Sequence, residues 1–185
     1  IGFGIYHHLN DIKALIYPDQ YTTVETVTED AEMGTVGELK DPQLIGDGVR
    51  ITATPEDGYK FWAFFNQDGE LLSLENPFDY KVVAGEKVVA KFYNPETEVI
   101  ITVLKEVTNL DADKVETSVV STDKKALDSS VELTAEAGEN ETFVGFYNED
   151  GEELELEASY NFTASESITI TMKFTYTEPT QEVGA

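Results

Sequence analysis

The sequence predicts an all-β chain of two small tandem modules, preceded by a short helical or extended arm. Three observations predict it. A 45-residue block recurs 82 positions downstream without a gap, the apolar period inside the block is two, and each copy carries an Asn-x-Asp-Gly-Glu turn between strand-like runs. The clearest pair is "FFNQDGELL" (Phe64–Leu72) against "FYNEDGEEL" (Phe146–Leu154). Aligning Val49–Tyr93 with Val131–Thr175 gives 14 identical pairs in 45, including Phe61/Phe143, Phe64/Phe146, Gly69/Gly151, Lys91/Lys173 and Phe92/Phe174. Conservative pairs such as Phe78/Tyr160 and Tyr80/Phe162 fill the gaps, as duplication would leave them.

The elements follow in chain order. Residues 1–20 form the arm, with Ile5, Leu9, Ile12 and Ile16 at helical spacing before Pro18 stops the helix. A piece this short is marginal alone, so it is expected to lean on something. His7 and His8 are adjacent, which on a helix points their rings about 100° apart, poorly suited to joint metal binding. The first module covers residues 21–94 and the second 95–177, with 178–185 as a tail or linker. Each opens on a Thr/Val-rich strand, "YTTVETVTE" (Tyr21–Glu29) and "EVIITVLKEV" (Glu98–Val107), then a variable segment, then the shared block.

Inside the block the alternation is read residue by residue. Val49, Ile51 and Ala53 alternate with polar neighbours, and Phe61, Ala63 and Phe65 are expected on one face with Trp62 and Phe64 on the other. Phe61 and Phe143 are accordingly expected to be buried. Gly69 and Gly151 supply the positive φ that the hairpin turns require. As a calcium loop, Asn66–Gly69 is too short and lacks the distal bidentate Glu of an EF-hand. "NLDADKVE" (Asn109–Glu116) offers Asp111, Asp113 and Glu116 as oxygen ligands, and is read instead as a solvated linker loop.

Composition bounds the function. Acids outnumber bases 37 to 12, for a formal charge of −25, and the excess is shared: 16 acids and 7 bases up to Asn94, 21 and 5 after it. Such a field repels phosphate backbones and anionic lipid, so no nucleic-acid partner is expected. No apolar run reaches 18 residues, so no membrane insertion is expected. With no cysteine there are no disulfides, thiolate metal sites or cysteine nucleophiles. The chain opens on Ile1, and is read as a processed product or part of a longer polypeptide.

No catalytic constellation emerges. Neither a Gly-x-Ser-x-Gly elbow nor a phosphate-binding glycine loop occurs. Carboxylates are plentiful, but a catalytic pair needs a concave, partly desolvated site to separate its pKa values, which modules of this size rarely build. The chain is therefore read as a non-enzyme without cofactor or metal. Lys91 and Lys173 fall at equivalent strand positions, inviting a cross-link to Asn or Asp, and are read instead as edge lysines.

The first block carries Thr52-Ala53-Thr54-Pro55, Gly58-Tyr59, Phe61, Asn76-Pro77 and Ala90-Lys91-Phe92 in that order. On these residues it resembles the divergent InlB B-repeat family of bacterial surface repeats. The family's Gly-Trp is replaced by Ala63-Phe64, whereas the second copy keeps Gly145 before Phe146 and joins through the duplication. Together the two copies span Tyr21 to Tyr176. The resemblance implies small β-grasp-like or β-sandwich-like modules on exported bacterial proteins, acting as stalk or interaction units at the cell surface. The alternative is a virion component of a bacteriophage (decoration, fibre or tail) assembling through residues 1–20. Candidate interaction residues are Trp62, Phe64 and Phe146 with Ile5, Leu9, Ile12 and Ile16. The partners expected are proteins or neighbouring subunits, with a glycan on Trp62 and nearby aromatics as a further candidate.

Overall fold

The computed structural model describes residues 3–179, with side chains described from Leu9 onward. The expectations for the side chains of Ile5, His7 and His8, and for residues 180–185 of the tail, fall outside the described residues. The chain is all-β, with several small sheets and one short N-terminal helix, and divides into two compact units at Pro95/Glu96.

The first unit begins with α1 (Phe3–Ile16) and a 3-10 turn (Pro18–Gln20). Pro18 ends α1 as expected, because its ring and missing N–H cannot continue the helix. Ten strands follow: β1 (Tyr21–Thr22), β2 (Glu25–Thr28), β3 (Gly34–Val36), β4 (Gln43–Leu44), β5 (Gly48–Ile51), β6 (Ala53–Pro55), β7 (Lys60–Phe65), β8 (Leu71–Ser73), β9 (Phe78–Lys81) and β10 (Lys87–Tyr93). The main sheet has the order β2-β10-β7-β8, with β2 and β10 parallel and the other pairs antiparallel. The ribbons β5–β9 and β3–β6 supply the rest of the core lining. Between sheet and ribbons lie Val24, Ile51, Phe64, Phe78, Val88 and Phe92, all buried.

The second unit carries β11 (Glu98–Asn109), β12 (Lys114–Ala126), β13 (Ser129–Thr134), β14 (Glu141–Tyr147), β15 (Glu153–Glu155), β16 (Ser159–Ala164) and β17 (Ile168–Tyr176). Its sheet order is β12-β11-β17-β14-β15, and β13–β16 forms the facing ribbon. The order β11-β17-β14-β15 repeats the polarity of β2-β10-β7-β8, with the opening and closing strands parallel. Ribbon partners shift by the same 82 residues as the sequence: Val49 faces Tyr80 and Val131 faces Phe162.

The turns are built as their residues dictate. The Asn66 side-chain oxygen accepts from the amides of Asp68 (3.0 Å) and Glu70 (2.9 Å), and its amide donates to the Glu70 carboxylate at 2.8 Å. Asn148 makes the corresponding bonds to Glu152, at 2.8 and 2.9 Å. Gly69 (φ 83°) and Gly151 (φ 78°) occupy the left-handed position, where a Cβ would be strained.

Asn109–Glu116 is not a linker loop. Its first six residues turn the hairpin between β11 and β12, with the Asn109 side-chain oxygen accepting from the amides of Asp111 and Ala112. Strand β12 is an edge strand, and Val115, Val119 and Val120 on it are exposed. A bulge at Val120 and the lysines at 114, 124 and 125 are features that disfavour pairing of such an edge with another chain.

Buried Tyr80, 4% exposed, gives the first unit an alkaline liability. Its hydroxyl donates to Glu86 at 2.7 Å and accepts from the Val83 amide at 3.3 Å. Burial, then the Glu86 carboxylate, pushes its pKa up from 10.0 to about 12. Between these two values an unfolded chain has lost the proton that the folded chain keeps. Stability that is intact below pH 10 therefore falls as pH rises toward 12, by on the order of 2–3 kcal/mol. Urea melts across that range are expected to show the decline in the wild type and a smaller one in Tyr80→Phe, the remainder coming from lysine ion pairs such as Lys91–Glu29 that lose their charge in the same range.

Candidate interaction surfaces

The face alternation expected for β7 breaks at Trp62. Phe92 of β10 pairs with Phe61, but the preceding Lys91 pairs with Ala63, so Trp62 is an extra residue in the strand. Such a bulge puts two consecutive side chains on one side and re-aims what precedes it. Phe61 and Phe64 therefore share the core face, with ring centroids 4.8 Å apart, while Trp62 and Phe65 meet on the other at 5.1 Å. In β14 the bulge falls at Val144, and Phe143 and Phe146 again share the core face at 5.1 Å.

Two expectations are corrected by this geometry. Phe64 and Phe146 are both 0% exposed, so they are the centres of their cores and have no surface to offer a partner. Phe61 and Phe143 are half-buried neighbours packed against those cores.

Lys91 and Lys173 are not edge residues, because β10 and β17 both lie inside their sheets. Lys91 Nζ sits 5.7 Å from the Trp62 ring centre and 4.9 Å from that of Phe65, and pairs with Glu29 at 2.9 Å. Lys173 Nζ lies 4.6 Å over Tyr147 and 3.6 Å from Glu106. Each lysine is thus a cation between an aromatic on one neighbouring strand and a glutamate on or just beyond the other. Trp62 is half-buried within this arrangement. The glutamate partner was the part sequence reasoning missed, since it depends on the parallel pairing of distant strands.

In the second unit a cleft of about 300 Å³ is lined by Val107, Asn109, Lys114, Glu116, Glu141 and Tyr176. Glu141 accepts from Lys105 Nζ at 2.6 Å and from the Gly138 amide at 2.8 Å, and Lys105 also lies 4.6 Å over the Phe174 ring. The Lys105 hydrogen bond is the main cause holding the Glu141 carboxyl below its ordinary range. Glu116 is likewise lowered by its bond to Lys114. Both carboxylates are thereby held ionised, the reverse of what a proton donor at neutral pH needs. Asp111 accepts from the Glu178 amide at 2.6 Å. No group of three or more His, Asp or Glu is placed to hold a metal ion among the described residues.

The remaining candidates lie on α1. Leu9, Ile12 and Ile16 are 45%, 56% and 61% exposed, and Leu15, which sequence reasoning did not single out, is 88% exposed. No described helix is long and apolar enough to cross a membrane. The structure brings Trp62 together with Phe65 and Lys91, and separates all three from the buried Phe64.

No curated protein and no solved structure matches the chain. Residues 23–96, less than half of the chain, match the family model described as the divergent InlB B-repeat domain, so the first unit is InlB-repeat-like over the stretch from just before β2 to just beyond β10.

Proposed function

We propose that the chain is a non-catalytic segment of tandem β repeats in a bacterial surface structure, serving as a load-bearing spacer or interaction module. The second unit is then a diverged copy of the first, a reading supported by the shared strand order, the common bulge and the 82-residue displacement of equivalent partners.

The observation that carries the spacer reading is the parallel pairing of opening and closing strands. The chain enters β2 at one end of the ladder and leaves β10 at the other, and β11 and β17 repeat this. Tension along the chain then loads all the ladder's hydrogen bonds together in shear, rather than one at a time. The second unit has nine such pairs, Ile101/Ile168 to Asn109/Tyr176, against four in the first, Lys87/Glu25 to Ala90/Thr28. Single-molecule pulling from the two ends is expected to give two separate unfolding events, the first unit yielding at the lower force. Forced unfolding reports the barrier rather than the equilibrium. A single low-force event would remove the spacer reading.

A second reading, a virion structural component that assembles through residues 1–20, is favoured by the exposed apolar side of α1. Deleting those residues would then abolish incorporation into particles.

A further inference from the structure

We infer that α1 is a self-association helix, through which three or four copies of this chain form a parallel bundle. The inference goes beyond both functional readings and depends on neither. Its basis is the spacing of the apolar residues. Ile5, Leu9, Ile12 and Ile16 follow one another at intervals of four, three and four, the seam of a coiled coil. Leu9 and Ile16 take the a positions and Ile5 and Ile12 the d positions. Isoleucine at d, with leucine or isoleucine at a, suits bundles of three or four helices better than pairs. Leu15 falls at g beside the seam and is its most exposed member, so the apolar side is wider than one partner helix covers.

Length points to the same occupant, and charge leaves this helix as the place where copies can meet. Fourteen residues make a helix about 21 Å long, and two heptads facing one partner bury too little for a stable dimer. Packing the a, d and g side among several copies covers the surface that a pair leaves wet. The chain carries a charge of −25, so most of its surface repels a second copy. Helix α1 is the exception, because Asp11 and Lys13 are its only charged residues and they cancel. It is also outside the core clusters of the units, so a bundle forms without disturbing them.

Sedimentation of the intact chain over a wide concentration range tests this. The expected species is about three or four times the 20.5 kDa chain mass, dissociating on dilution. Ile12→Glu, which places a charge in the seam, is expected to sediment as a monomer with the thermal melt of its β units unchanged. Three results would overturn the inference. One is a monomer at every concentration, as when the helix is covered by a different partner or another part of a longer chain. Another is a dimer. The third is an Ile12→Glu variant that still associates, which would move the contact elsewhere, the β12 edge being the next surface to probe. Failure here would leave the pulling experiment, and the spacer reading with it, untouched.

Discussion

Phe64→Ala is expected to cost the first unit about 3–5 kcal/mol, and Phe146→Ala the same in the second. Phe64 has no exposed surface, and its ring packs at a tilt against Phe78 at 4.6 Å and Phe61 at 4.8 Å between centroids. Removing its ring leaves a cavity that neighbouring strands cannot close, because β7 is held on one side by β10 and on the other by β8. A domain of this size is stable by only about 5–15 kcal/mol, so the substitution consumes much of that margin. Phe61→Ala should cost clearly less, as its side chain is already half in water. Hydrogen exchange on the whole chain separates these outcomes. Phe64→Ala should speed exchange through β7 and β10, and Phe61→Ala only weakly. Equal effects would mean that the bulge at Trp62 is misplaced.

Gly34→Ala is expected to destabilise the first unit by about 1–3 kcal/mol, and Gly34→Val by more. A Cβ at position 34 would stand 2.5, 2.6 and 2.8 Å from three atoms of the Phe92 ring. Phe92 cannot retreat, since it is 1% exposed and packs edge-on to Phe61 at 6.1 Å. Gly48→Ala is the control. Its Cβ would meet nothing within 4 Å and its φ is not positive, so it should be neutral or slightly stabilising. Chemical denaturation of the two variants side by side measures the difference. Comparable loss in both would show that backbone freedom, not contact with Phe92, decides the glycine's cost.

The sequence made the strands and turns legible because their signals are local. Alternation of apolar residues and the Asn-x-Asp-Gly-Glu run act within a few positions; the turns formed as read, and the alternation failed where β7 and β14 are bulged. The bulge was harder, as a bulge shows only in the partner strand's register. Yet a trace of it was present: phenylalanines stand three apart at 61 and 64 and again at 143 and 146, which strict alternation does not produce. Reading Phe64 and Phe146 as displayed residues followed from missing that trace. Strand β12 escaped notice for a different reason. It has no buried face, so its β-branched residues had no polar alternation to set them off, and the turn before it read as a linker. The cation sites at Lys91 and Lys173 needed the parallel pairing of strands more than 60 residues apart, which no short-range pattern encodes. The helix, by contrast, was visible from apolar spacing and Pro18 alone.

The parallel pairing also sets when each unit can close. Hairpins such as β7–β8 and β14–β15 need only a turn and can form early, whereas β2 waits for β10 and β11 for β17, across nearly the whole unit. Closing so long a loop makes the last strand's arrival the slow event. A chain emerging in N-to-C order, from a ribosome or through an envelope, therefore holds each unit open until its final strand is through. For that interval β2, and the edge of β11 that β12 leaves uncovered, are also sites for the wrong partner, and in this chain the nearest wrong partner is the matching strand of the other unit.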